Sequence, residues 1–65
     1  MDLITNLNLS APDDFYAALV ESHKGLSIDE SNALNARLIL ILANHVGTQT
    51  VLIEALEAAR EAVHP

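Results

Sequence analysis

The residues with chemical potential are few: three histidines, one tyrosine, three asparagines in helical segments and a run of glutamates. His23 and His45 fall near the centres of apolar helix faces, where a metal ligand or general base would sit. An antiparallel arrangement would put them well over 10 Å apart on the helical rise, so one metal cannot use both. His64 is near the end of the sequence and adds nothing. No cysteine is present, which excludes thiolate metal sites and disulfides. We therefore expect no metal site and no cofactor.

Tyr16, His23 and Asn35 could share one region between two helices. A small polar pocket is one outcome, and a hydrogen-bonded network that fixes helix register is the expected one. Glu54, Glu57 and Glu61 form an acidic stripe at helical spacing. Carboxylates do acid–base work only in a cleft that shifts their pKa values, and these are expected on a solvated face with Arg60 beside them. Ser22-His23 and Asn44-His45 are adjacent in sequence, so on a helix they point about 100° apart and form no nucleophile–base pair. Gly25 and Gly47 stand singly and make no phosphate loop. Catalysis is not expected, because so short a chain cannot enclose both a core and a pocket of several hundred Å³.

Three helices are expected to position these side chains, after an extended N-terminal arm over 1–11. Residues 12–65 form a single helical domain. Pro12 suits the first turn, Asp13 and Asp14 favour the positive end of the helix dipole, and Lys24 with Gly25 marks the stop. This predicts a first helix over 12–24. Ser27-Ile28-Asp29-Glu30 matches the capping box, opening a second helix over 28–46 that stops at Gly47. A strand is the rival reading for Leu38–Leu42, but the upstream cap and the flanking alanines favour helix. Thr48 should cap a third helix over 49–63, antiparallel to the second across a tight turn. The fold class is all-α, a small three-helix bundle.

The apolar faces carry the argument toward function. The first helix gathers Phe15, Tyr16, Leu19 and Val20, and the third gathers Leu52, Ala55, Leu56, Ala59 and Val63. Ile53 falls among the third helix's charges. The second helix is apolar over roughly 260° of its circumference, against the 100° or more of an ordinary surface helix. Its neighbours are too short to cover it, leaving either the arm (Leu3, Ile4, Leu7 and Leu9) or a second protein chain. An exposed patch of this kind marks association. The expected partner-binding residues are Leu40, Ile41, Val46 and Ile53, with Arg37 and Asn44 at the rim. The partner would be a second copy or a larger protein.

Charge and composition narrow the partners further. Nine acidic residues against Lys24, Arg37 and Arg60 leave a net charge of −6, which repels phosphate backbones and anionic lipid. With two aromatics and no basic patch, no nucleic-acid or membrane partner is expected. The longest apolar run, Leu38 to Ala43, is far short of a bilayer span. Met1-Asp2-Leu3-Ile4-Thr5 lacks the basic region of a secretory signal, so a soluble cytoplasmic protein is expected. Two further readings remain open: a ligand-binding or catalytic helper using Tyr16, His23 and His45, and an acidic inhibitor acting through Glu54, Glu57 and Glu61.

Two stretches carry a family resemblance. The segment from Asp14 to Leu26 (DFYAALVESHKGL) and that from Asn35 to Gly47 (NARLILILANHVG) resemble a family of very short proteobacterial proteins catalogued as domain of unknown function 2783. The likeness spans Pro12 to Arg60, with Asn-Ala-Arg and Ala-Asn-His-Val-Gly as its specific parts. It implies an accessory subunit, encoded beside an FAD-dependent aromatic hydroxylase, rather than an independent catalyst. It supplies no catalytic residues to carry over.

Overall fold

The computed structural model describes residues 3–65; Met1 and Asp2, the start of the expected arm, lie outside the described residues. Three helices follow the arm: α1 (Pro12–Ser22), α2 (Ile28–Val46) and α3 (Gln49–Val63). No strand occurs among the described residues. Leu38–Leu42 is helical, as the upstream cap requires, and α2 and α3 have the expected bounds.

Each terminus has a local cause. Pro12 sits in the first turn of α1 with Asp13 and Asp14, while Ala11 at the N-cap offers no side-chain bond. The helix ends two residues before the expected Lys24. His23 is the C-cap, its N–H donating to the Val20 carbonyl at 3.1 Å, and the chain turns through Gly25 at φ 78°. Lys24 still serves the end of the helix through an exposed ion pair with Glu21 at 2.8 Å.

The capping box of α2 is complete. Ser27 Oγ accepts from the Glu30 N–H at 3.2 Å, and the Ser27 N–H donates to Glu30 Oε1 at 2.9 Å. Two donors that the first helical turn orphans are thereby satisfied. The Ser27 bonds, led by its backbone N–H, hold the Glu30 carboxyl below its ordinary value of 4.5. At the far end Gly47 takes the left-handed conformation, φ 76°, and donates to the Ala43 carbonyl at 2.8 Å. Thr48 occupies the N-cap of α3 without the expected side-chain bond; only its carbonyl is engaged, by the Leu52 N–H at 3.1 Å.

The packing is more open than the helix lengths suggest. Only α2 and α3 bring Cα atoms within 8 Å of each other. No described residue is fully buried, and the most enclosed side chains, such as Leu19, Leu34, Leu38, Leu52 and Ala55, are half-buried. The arm supplies little cover: Leu3 is half-buried, but Ile4 and Leu9 are exposed and Leu7 is 102% exposed. The chain presents 5841 Å² of surface. A compact folded monomer of this mass would present about 4,000 Å². The bundle exists, but one copy does not close it.

Candidate interaction surfaces

The strongest functional feature is a pair of grooves on different sides of α2. One lies between α1 and α2 and has a volume of about 580 Å³. On α1 it is lined by Phe15, Ala18, Leu19 and Ser22, the i, i+3, i+4, i+7 stripe of an amphipathic helix. On α2 its lining runs from Glu30 to Ile41 and includes Leu34, Arg37 and Leu38. The second groove, about 540 Å³, lies between α2 and α3. There α2 contributes Ile39, Leu40, Leu42, Ala43 and Val46, and α3 contributes Gln49, Leu52, Ile53, Ala55, Leu56 and Ala59. At about 100° per residue, the midlines of the two α2 faces lie roughly 180° apart. This is why α2 is apolar over so wide an arc.

The fold divides the expected partner-binding residues between these grooves. Arg37 and Ile41 line the first; Leu40, Val46 and Ile53 line the second; Asn44 lines neither. Leu40 is 70% exposed and lies at the outer edge of its groove. Ile53, which seemed misplaced among charges, is explained by the width of the opening between α2 and α3, which takes in the flank of α3. Phe15, Leu34, Leu42 and Leu56 belong to the grooves as well. Helical spacing places all four on apolar faces.

The polar candidates separate in the same way. His23 Nδ1 lies 2.8 Å from the Leu19 carbonyl oxygen and Nε2 lies 2.9 Å from Asn35 Oδ1. A carbonyl only accepts, so Nδ1 carries a proton and donates to it. The Asn35 amide can present its oxygen to a protonated Nε2 or, turned over, its NH₂ to an unprotonated one. This is the register-fixing network expected between α1 and α2. Tyr16 does not join it and is 68% exposed, because the α1 stripe facing α2 is Phe15, Ala18, Leu19 and Ser22. The two residues share no pocket. Glu57 and Glu61 are solvated as expected, whereas Glu54 is half-buried. No group of three or more His, Asp or Glu among the described residues is placed to hold a metal ion. No described helix is long and apolar enough to cross a membrane.

Fold and surface together define a small all-α domain whose central helix borders two open apolar grooves. The chain belongs to the family described as Protein of unknown function (DUF2783), whose model matches residues 3–61. That match includes the arm from Leu3 onward, beyond the span of the resemblance seen in the sequence. No curated protein and no solved structure matches the chain.

Proposed function

We propose that this chain is a non-catalytic helical interaction module, acting as a self-associating protein or as an accessory subunit of a larger one. The observation that supports the reading is the surface excess of about 1,800 Å² over a compact monomer of the same mass. The excess includes large aliphatic side chains on both sides of α2: Ile39, Leu42 and Val46 on one, Ile41 on the other. Apolar area left in water forfeits about 25 cal/mol per Å², so a partner that covers it stabilises the chain and binds through the same surface. A catalytic role would need a convergent set of polar groups in an enclosed site. His23 is instead engaged on both ring nitrogens, and Tyr16 points elsewhere. The larger partner that the family resemblance suggests is an FAD-dependent aromatic hydroxylase, in a cytoplasmic setting.

Hydrogen exchange on the purified chain, alone and mixed with candidate hydroxylase, tests the reading. Association should slow exchange in α2 relative to a monomeric reference at low concentration. A chain that stays monomeric, melts cooperatively and gains no protection from the hydroxylase would defeat it.

A further inference from the structure

One polar link joins the end of α1 to α2, and both of its partners can change state. Among the described residues, the His23–Asn35 contact is the only side-chain hydrogen bond between these two elements. Its geometry fixes one proton. The backbone N–H of His23 donates to the Val20 carbonyl, so the Leu19 carbonyl lacks the donor that a continuing helix would supply. His23 Nδ1, 2.8 Å from that oxygen, takes the donor's place. The carbonyl therefore keeps a proton on Nδ1 whether the ring is neutral or charged. Only Nε2 is left to titrate, and it lies 2.9 Å from the Asn35 side chain.

We infer that His23 and Asn35 form a two-state latch: the Asn35 amide turns over as Nε2 gains or loses its proton, so the end of α1 stays bonded to α2 in both charge states. On the neutral ring Nε2 accepts from the amide NH₂, and on the charged ring it donates to the amide oxygen. Asn35 is exposed, so water bonds whichever end of the amide faces outward, and neither orientation leaves a buried group unpaired. A carboxylate at this position would only accept and would hold the charged ring alone. No charged group takes either ring nitrogen. Glu21 and Lys24 pair with each other at 2.8 Å, Ser27 holds Glu30, and Asp13, Asp14, Asp29 and Arg37 make no hydrogen bond to the ring. The latch keeps the α1 wall of its groove, with Phe15 and Leu19, in register with α2 through the pH range around 6.5 in which an imidazole ordinarily titrates.

Nitrogen-15 NMR of the histidine rings and hydrogen exchange, both on the full chain at about pH 5.5 and about pH 8, test this on either side of that range. The signals of His23 are assigned by their loss in His23→Gln. At the higher pH the neutral His23 ring is expected to carry its proton on Nδ1. Asn35→Ala should speed exchange in α1 about two- to fivefold over the parent at both pH values, the worth of one exposed hydrogen bond. Asn35→Asp should be no faster than the parent at the lower pH, where carboxylate and imidazolium pair. At the higher pH it should be faster by that same factor, because a bond that needs the charged ring is lost as pH rises. A proton on Nε2 of the neutral ring would overturn the latch. So would an Asn35→Ala effect confined to one pH, or an Asn35→Asp chain that responds to pH as the parent does. The ring measurement uses the parent chain, so it decides the tautomer even where a variant fails to fold.

Discussion

The α1–α2 groove and the α2–α3 groove are alike in size, yet different forces hold their walls. Between α1 and α2 no Cα atoms come within 8 Å, and the connection is the 23–27 turn with the His23–Asn35 hydrogen bond. Between α2 and α3 the connection is a tight turn at Gly47, and only there do two helices bring Cα atoms within 8 Å. A long-range polar bond sets register at one angle but does not draw two helices together. A short turn does the opposite: it enforces proximity near the hinge and lets the far ends diverge. Apolar surface is consequently left open on both sides of α2, beside α1 and beside α3.

Four measurements would break or sharpen this contrast. The largest effect is expected at the hinge of α2 and α3. Gly47→Val places a β-branched residue at φ 76° and should cost about 2 kcal/mol in denaturant unfolding, through strain alone. The nearest atom to an added Cβ is the Asn44 carbonyl oxygen at 3.9 Å, an ordinary contact. An unchanged midpoint would show that the turn does not govern this side. Next comes Ser27→Ala, which removes half the capping box and should cost about 1 kcal/mol, fraying the first turn of α2. Hydrogen exchange should localise the loss to residues near Ile28 and leave α3 untouched.

Asn35→Ala is expected to cost about 0.5–1 kcal/mol, since the bond it breaks is exposed. Its signature is selective: faster exchange in α1, with α3 unaltered. Equal loosening of both sides would mean that the two grooves are coupled through α2 and that the contrast fails. The smallest effect concerns pH. The folded chain lowers the Glu30 pKa from 4.5, so its contribution is present above that value and fades as pH falls through the lowered one. Melting on either side of pH 4.5 should show this loss in the parent and not in Glu30→Gln, whose amide oxygen still accepts from Ser27. An identical acid response in both would remove Glu30 from the account.

Much of the fold is legible along the chain because its causes are local. Ser27 and Glu30 satisfy each other's backbone donors within one turn, and Gly47 alone among its neighbours takes positive φ without strain. Both ends of α2 follow from those few residues. The end of α1 was less legible, since His23 leaves the helix for a bond with Asn35, twelve positions on. Tyr16 shows the same limit. Its place on an apolar stripe could be read from spacing, but which edge of that stripe meets α2 depends on how the helices cross.

The sequence by itself determined three helices, the apolar breadth of α2 and a net charge of −6, because hydrophobic period, caps and net charge can be read from the residues without their positions in space. Only the tertiary structure decided that this breadth splits into two grooves, that Arg37 and Ile41 part company with Leu40, Val46 and Ile53, and that the arm leaves both grooves open. Those outcomes depend on angles and distances between helices. Such geometry is settled by the few contacts each helix makes across space, and no local pattern encodes it.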